Sequence, residues 1–180
     1  MRVIAGELGG RRLRAPRGDR TRPTSELVRG AIFSMLGDVS GADVLDLFAG
    51  TGALGIEALS RGSHRALFVE RATPAFAALQ GNLAALGLGP DRAVARCAPV
   101  DRALRAAQSR DETYDLVFVD PPYGQAANMA AALDTALPAL LNSSARVVVE
   151  SDPRAPLRLA LPVQRERRHG HTLITIHSQP

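Results

Sequence analysis

A short apolar run ends in an acid, two prolines and an aromatic residue, in the segment VFVDPPYG at 117–124. Because proline has no backbone N–H, two in succession fix the direction of the chain and leave carbonyl oxygens without local partners. The Asp120 carboxylate and the Pro121 carbonyl then offer two neighbouring acceptors, which suit the two hydrogens of an exocyclic amino group. Pro122 adds rigidity, and Tyr123 can stack on an extruded base. A rigid turn after a strand is the simpler alternative.

A glycine-rich turn forms a second candidate site. The sequence DLFAGTGALGIE, residues 46–57, contains Gly50, Gly52 and Gly55 in the pattern G-x-G-x-x-G. It follows a predicted strand and opens a predicted helix, and Glu70 comes 20 residues after Gly50, as in the dinucleotide-binding fingerprint. A carboxylate at that place accepts hydrogen bonds from ribose hydroxyls. NAD and S-adenosylmethionine are therefore both candidate cofactors.

Three features favour S-adenosylmethionine. Asp46 lies inside the strand before the turn, where a carboxylate suits water or the cationic amino end of a methionine moiety. We expect no second catalytic domain for a hydride acceptor. The DPPY segment ends another predicted strand, at the carboxyl edge where open α/β sheets bind their ligands. An NAD-dependent oxidoreductase remains the alternative from another enzyme class, and it leaves DPPY unexplained.

Apolar runs and helical patterns alternate along most of the chain. The predicted strands cover 43–50, 65–70, 92–96, 115–120 and 146–150, and the predicted helices cover 53–62, 73–87, 99–108 and 127–141. Thr73 is the expected N-cap of its helix, and Pro138 is expected to disturb the last one. Two more strands, 163–169 and 172–178, flank Gly170 and are predicted to pair antiparallel. The pattern predicts an α/β fold with a Rossmann-like, doubly wound, seven-stranded and mostly parallel sheet.

The N-terminal segment is strongly basic. Eight arginines fall in the first 29 residues: Arg2, Arg11, Arg12, Arg14, Arg17, Arg20, Arg22 and Arg29. Two extended runs around 8–10 predict a small β-hairpin, and 25–37 has the spacing of an amphipathic helix with Thr24 or Ser25 as N-cap. The apolar side of that helix is predicted to hold Leu27, Val28, Ile32, Phe33 and Leu36. A dense basic arm is typical of a protein that binds a polyanion.

The composition is that of a globular body with this arm, and we place the boundary between 1–23 and 24–180. The chain is 46% hydrophobic and 22% charged, and no apolar run approaches the roughly 18–20 residues that span a bilayer. We therefore expect no membrane partner. The lone Cys97 is consistent with the reducing cytoplasm. The four histidines show no ligand pattern, and no metal site is predicted.

Two segments together, DLFAGTGALGIEALSRG and VFVDPPY, resemble the class I S-adenosylmethionine-dependent methyltransferases that modify exocyclic amines. The segments GGRRLRAP and TRPTSELVRGAIFSML narrow the resemblance to the RsmD family of 16S ribosomal RNA guanine-N2 methyltransferases. The resemblance extends from about residue 2 to residue 151 and is looser in the C-terminal strands. The DPPY and glycine motifs are shared with adenine-N6 DNA enzymes, so the arginine-rich arm is the specific part.

The resemblance implies a set of cofactor contacts, with Glu70 on the ribose and S-adenosylhomocysteine as the product. The implied contacts are Asp46, Phe48, Ala49, Gly50, Gly52, Glu70, Arg71, Cys97 and Ala98. Many relatives carry Asp or Asn after the third strand to receive the adenine amino group, whereas this chain has Cys97 followed by Ala98. Because a thiol is a weak acceptor, we expect backbone groups to bind adenine there.

The resemblance also implies that Asp120, Pro121, Pro122 and Tyr123 hold and stack a guanine. The implied RNA contacts are Arg11, Arg12, Arg14, Arg22, Thr24 and Arg29, with Arg22 and Thr24 near the mouth of the site. The expected partner is small-subunit rRNA or an assembled 30S particle, and the expected state is a cytoplasmic monomer. An adenine-N6 methyltransferase of DNA or RNA and a noncatalytic RNA-binding protein remain as alternatives.

Overall fold

The computed structural model describes residues 1–16, 25–122 and 126–179. In this part of the chain seven strands form one sheet, in the order β3-β2-β1-β4-β5-β7-β6. The strands are β1 Asp43–Leu47, β2 Arg65–Glu70, β3 Ala93–Cys97, β4 Tyr114–Val119, β5 Leu141–Ser151, β6 Val163–His169 and β7 Thr172–Ser178. The first five pair in parallel, and β7 pairs antiparallel with both β5 and β6. The predicted mostly parallel, doubly wound sheet is confirmed.

Helices cover both faces of the sheet. They are α1 Glu26–Leu36, α2 Ala53–Ser60, α3 Thr73–Leu86, α4 Val100–Gln108 and α5 Ala126–Ala136. Buried side chains of α1, α2 and α3 pack on one face of the sheet, which includes Phe68 and Phe118. Those of α4 and α5 pack on the other face, which includes Leu45 and Val117. The strand residues alternate between the two cores because successive side chains point to opposite faces.

Several predicted boundaries were wrong by a few residues. Thr73 is the first residue of α3, and Ala72 is its N-cap without a side-chain hydrogen bond. The last helix ends at Ala136, and a 3-10 turn, Pro138–Leu140, follows because proline has no N–H to continue an α-helix. That turn leads directly into β5, which is longer than predicted.

The N-terminal segment is the predicted hairpin. Arg2 and Arg12 form an antiparallel bridge, and the Val3 N–H donates to the Arg11 carbonyl at 3.0 Å. Val3 and Leu13 are buried in the core beneath α1, α2 and α3. The hairpin is therefore packed on the body of the protein.

The hairpin is held by the second half of α2. The buried Glu57 carboxylate accepts the N–H of Ile4 at 2.7 Å and that of Ala5 at 3.1 Å. Gly6 has φ +83°, and a Cβ there would lie 1.7 Å from the Ser60 carbonyl oxygen. Only glycine fits this contact, which brings the hairpin turn against the end of α2.

Helix α1 begins near the carboxyl edge of the sheet. Its N-cap is Ser25, whose Oγ accepts the Val28 N–H at 3.2 Å. The other end of α1 lies at the amino edge, because Arg146 of β5 donates to the Asp38 carbonyl at 3.1 Å. Leu27, which was expected in the core, is 83% exposed. No helix in the described ranges is long and apolar enough to cross a membrane.

Candidate active site

Three predicted acids meet at the carboxyl edge of the sheet. Glu70 ends β2, Asp46 lies in β1, and Asp120 directly follows β4. Asp46 is in register with Phe68 on one side and with Phe118 on the other. Because side chains alternate along a strand, all three acids point to the face covered by α1, α2 and α3, with Asp46 one layer deeper.

The turn after β1 has an unusual backbone. Phe48, Gly50 and Gly52 all have positive φ, of 62°, 56° and 83°. Left-handed conformations are uncommon for a side chain such as phenylalanine, and they gather at functional sites. The Gly52 N–H closes the turn on the Ala49 carbonyl at 2.7 Å, and the Ala49 N–H donates to Val69 of β2 at 3.0 Å. The turn is therefore fastened both to itself and to the neighbouring strand.

The glycines of the turn have different spatial roles. A Cβ on Gly52 would lie 2.5 Å from Cδ1 of Leu79, and one on Gly55 would lie 2.3 Å from Cε1 of Phe68. These two glycines allow α2 to pack closely on its neighbours. A Cβ on Gly50 would meet nothing nearer than the Phe48 carbonyl oxygen at 3.9 Å. Gly50 therefore borders open space in which a cofactor has room.

Glu70 is fixed by the turn that it faces. One carboxylate oxygen accepts the Gly50 N–H at 2.8 Å, and the other accepts the Ala72 N–H at 2.6 Å. Each oxygen has a second acceptor site, so the group can also receive hydroxyl donors. This geometry fits a ribose diol at the end of β2.

Asp46 is a buried acid with a raised pKa. Burial is the largest cause; its hydrogen bond from the Gly55 N–H, at 2.9 Å, opposes the rise, and the charges of Asp120 and Glu70 add to it. The pKa of Asp46 reaches about 7. A cation beside Asp46 would favour the charged carboxylate, which fits the amino end of a methionine moiety.

The DPPY segment begins where β4 leaves the sheet. Asp120 is partly buried, Pro121 is buried and Pro122 is exposed. The Asp120 carboxylate is close enough to Asp46 to raise the pKa of that acid. Asp120 therefore lies near Asp46, at the edge of the sheet where the sequence predicted it. Tyr123, which is predicted to stack on the base, falls outside the described residues.

The end of β3 completes the predicted cofactor edge. Cys97 is exposed and in register with Glu70, and its Sγ lies 4.0 Å from the Arg71 carbonyl oxygen. The Ala98 N–H donates to the Glu70 carbonyl at 3.2 Å. Arg71, Cys97 and Ala98 are thus brought to the edge beside Glu70. In the described part of the chain, no cluster of three or more acids, histidines or cysteines is arranged to hold a metal ion.

The predicted RNA contacts separate into two groups. Arg11, Arg12 and Arg14 are exposed, and with Arg2 they line a groove of about 740 Å³. Arg29 is fully buried, so its prediction as an RNA contact was wrong. Its guanidinium donates to the Arg2 carbonyl, and Glu26 accepts the Arg2 N–H at 2.8 Å. Arg29 therefore positions the hairpin from inside.

The other two predicted RNA contacts, Arg22 and Thr24, fall outside the described residues.

A buried amide connects the hairpin to the glycine turn. Asn82 of α3 accepts the Arg14 N–H at 2.8 Å and donates to the carbonyls of Arg14, at 3.0 Å, and Thr51, at 2.9 Å. Nothing in the sequence singled out Asn82 beyond its being a polar residue in an otherwise apolar helix pattern.

One acid of the edge was not selected from the sequence. Glu150 lies near the end of β5, is 8% exposed and contributes to the electrostatic environment of Arg29 in α1. The sequence signal was an acid directly after the apolar run Val147–Val149, the same arrangement as in β4. Its relation to Asp120 depends on the pairing of β4 with β5, which a single sequence does not reveal.

Comparison with known proteins agrees with this geometry. A model of the family described as Conserved hypothetical protein 95 matches residues 1–178. Putative rRNA methyltransferase YlbH of Bacillus subtilis is 46% identical over 124 residues, which cover 68% of this chain and 67% of that protein. Ribosomal RNA small subunit methyltransferase D of Escherichia coli K12 is 38% identical over 124 residues, covering 68% of this chain and 60% of that protein.

Solved structures show the same fold. Putative methyltransferase yhhF from Escherichia coli superposes with a TM-score of 0.82 at 31% identity, covering 99% of this chain and 97% of that one. The T. thermophilus 16S rRNA N2 G1207 methyltransferase RsmC, in complex with AdoMet and guanosine, has a TM-score of 0.69 at 24% identity, covering 91% of this chain and 45% of that one. This second likeness shows the fold alone. The chain therefore belongs to the Conserved hypothetical protein 95 family, the RsmD family, and is a class I methyltransferase that uses S-adenosylmethionine.

Proposed function

We propose that this protein transfers a methyl group from S-adenosylmethionine to the exocyclic N2 of a guanine in small-subunit rRNA. The observation that carries the proposal is the position of Asp120. It follows β4 on the same edge and face as Asp46 and Glu70, so an amine held there lies beside the cofactor acids. The curated relatives named for the small ribosomal subunit support the choice of RNA.

The chain supplies three functions to the cofactor half of the site. Glu70 accepts the ribose hydroxyls, Asp46 favours the cationic amino end, and Gly50 leaves space for the ligand beside the turn. When bound, S-adenosylmethionine would supply an electrophilic methyl group on its sulfonium sulfur. The remaining task of the protein is to bring a nitrogen into line with that methyl.

Asp120 and the Pro121 carbonyl perform that task in our proposal. They accept the two hydrogens of the guanine amino group, which turns the nitrogen lone pair out of conjugation with the ring. The two prolines limit the movement of these acceptors, so positioning provides much of the rate acceleration. The Asp120 carboxylate also stabilises the positive charge that develops on the nitrogen during transfer. The methylated amine then releases one proton to solvent to give the neutral N2-methylguanine. Tyr123 stacks on the base.

The hairpin groove would hold the RNA backbone. Arg2, Arg11, Arg12 and Arg14 line one groove, and phosphate contacts of this kind provide affinity without reading sequence. The substrate is either 16S rRNA or the assembled 30S particle, and we expect a cytoplasmic monomer to act on it. The basic arm 1–23 would bind RNA and the body 24–180 would carry out catalysis.

The test is methyl transfer from labelled cofactor to small subunits, free 16S rRNA and duplex DNA, followed by nucleoside analysis. We expect N2-methylguanosine from the ribosomal substrates, and a loss of about 10²–10³-fold in kcat for Asp120→Ala because an aligned acceptor is removed. Asp120→Asn keeps one acceptor oxygen and should retain more activity. Asp101→Asn, an exposed acid on α4, is the matched control.

N6-methyladenine in DNA as the product would contradict the proposed substrate while preserving the role of DPPY. Bound S-adenosylhomocysteine without transfer to any nucleic acid would favour the noncatalytic alternative.

A further inference from the structure

Glu150 lies on β5 next to the point where the neighbouring strand β4 ends. Strand β4 pairs with β5 in the register Val117↔Val147, Phe118↔Val148 and Val119↔Val149. Asp120 comes directly after the last of these pairs, and continuing the register by one residue brings it next to Glu150, at the roughly 4.8 Å spacing of neighbouring strands. The two acids therefore follow the same strand pair at the carboxyl edge.

The two acids also point to the same face. Phe118 and Val148, two residues before them, both belong to the core beneath α1. Glu150 also favours the charged form of Arg29 in α1, which places its carboxylate on the α1 side. On its other side Glu150 is in register with Ile174 of β7.

A complete row of acids thus runs along the carboxyl edge. It occupies four successive strands of one face: Glu70 on β2, Asp46 on β1, Asp120 after β4 and Glu150 on β5. The first two serve the cofactor in the proposed function. The last two lie on the substrate side, and each can accept hydrogen bonds from a base.

We propose that Glu150 accepts the N1–H of the target guanine and so selects guanine over adenine. This inference rests on the proposed function, because it requires the guanine amino group to lie at Asp120. The Watson–Crick edge of guanine presents N1–H and the N2 amino group side by side, which matches two neighbouring carboxylates. Adenine presents an acceptor at N1, which would face Glu150 without a proton between them. Glu150 is a specificity-determining residue beside the amine-holding Asp120.

The test compares guanine with 2-aminopurine at the methylated position of small-subunit RNA. Both bases carry the 2-amino group, but 2-aminopurine has no N1–H. We expect the wild type to prefer guanine by about 10²-fold or more in kcat/KM, since a site built around a donor rejects a substrate that lacks it. Glu150→Ala should lose about that factor on guanine and little on 2-aminopurine, so that the preference disappears. Asp120→Ala should lower transfer to both bases.

Glu150→Gln separates base recognition from a structural role. The amide oxygen still accepts N1–H, so this variant should keep the preference for guanine and most of the activity. If Glu150 only balances the charge of Arg29, Glu150→Gln and Glu150→Ala would be equally harmful. Both variants would then lower kcat/KM for guanine and for 2-aminopurine by the same factor. That result, or an unchanged preference in Glu150→Ala, would overturn the inference.

Binding of S-adenosylhomocysteine should be equal in all variants of Glu150, which confirms that each one is folded. If Glu150→Ala still produces N2-methylguanosine and still prefers guanine over 2-aminopurine, the specificity role of Glu150 is rejected and the proposed function stands. Production of N6-methyladenine by the wild type would reject both this inference and the proposed substrate.

Discussion

At the scale of single residues, Asp46 shows how a ligand site differs from a stable core. Its carboxylate is fully buried with one backbone donor and two acidic neighbours, Asp120 and Glu70. A protein without a ligand for this acid would be more stable with a neutral residue. The raised pKa of Asp46 reflects this loss of stability, which in our proposal the cationic amino end of the cofactor would offset.

This cost predicts a pH dependence of stability. The pKa of Asp46 rises from 3.8 to about 7 on folding, so the folded protein holds a proton that the unfolded chain releases between these values. The free energy of unfolding should therefore fall as the pH rises from about 4 to about 7, by roughly 2–4 kcal/mol in total. Asp46→Asn removes this loss and keeps an acceptor for Gly55.

Thermal unfolding of the cofactor-free protein at pH 5 and pH 8 is the measurement. We expect Asp46→Asn to be more stable than the wild type at pH 8, with a smaller difference at pH 5. Asp91→Asn, an exposed acid, should behave like the wild type at both pH values. A variant less stable than the wild type at pH 8 would disprove the assignment of Asp46 as the destabilising acid.

At the scale of elements, the turn from β1 to α2 separates binding from packing. Gly50→Ala adds a Cβ into open space, and its φ of +56° makes alanine unfavourable there by about 1 kcal/mol. The Tm should therefore fall little. The affinity for S-adenosylhomocysteine should fall strongly, because the Cβ would occupy the space proposed for the cofactor. Gly52→Ala drives a Cβ to 2.5 Å from Leu79 and should lower Tm much more. Calorimetric binding and thermal unfolding check the pair. Equal losses of stability would contradict the separation.

Elements with a clear local signal could be predicted from the sequence. The bounds of β2, β6 and β7 match the prediction. β2 and β7 are short apolar or β-branched runs, whereas the polar β6 was located by its pairing with β7 across the turn at Gly170. The prediction of Thr73 as the N-cap of α3 was wrong, because Ala72 takes that place without a side-chain hydrogen bond. Residues whose roles depend on tertiary partners were missed or misassigned. Arg29 is buried by its contact with Arg2, and Glu150 acquires its significance only from the register of β5 beside β4.

At the scale of the whole molecule, charge is distributed unevenly. The chain carries a net charge of +4, and the hairpin that bears the arginines of the groove packs on the face of the sheet covered by α1, α2 and α3. A triple substitution of Arg11, Arg12 and Arg14 by Gln should weaken RNA binding and reduce the slope of log K against log salt by about 2. Binding of S-adenosylhomocysteine should change little.

The matched control is the triple substitution of Arg102, Arg105 and Arg110 by Gln. These side chains are exposed on or next to α4, on the opposite face of the sheet, and the change in net charge is the same. RNA affinity measured between 50 and 200 mM salt distinguishes the two variants. An equal loss of RNA affinity in both variants would mean that the affinity depends on net charge alone and that the hairpin is not a specific contact.

The hydrogen bonds of Asn82 connect the N-terminal hairpin to the glycine turn. One buried amide holds the backbone of Arg14 in the hairpin and the carbonyl of Thr51 in the glycine turn. In our proposal, a shift of the hairpin on RNA binding would therefore move the glycine turn, which is proposed to border the cofactor. By thermodynamic reciprocity, a cofactor that stabilises the turn would favour the RNA-bound position of the hairpin by the same free energy. The two substrates of the reaction would then bind cooperatively through this buried amide.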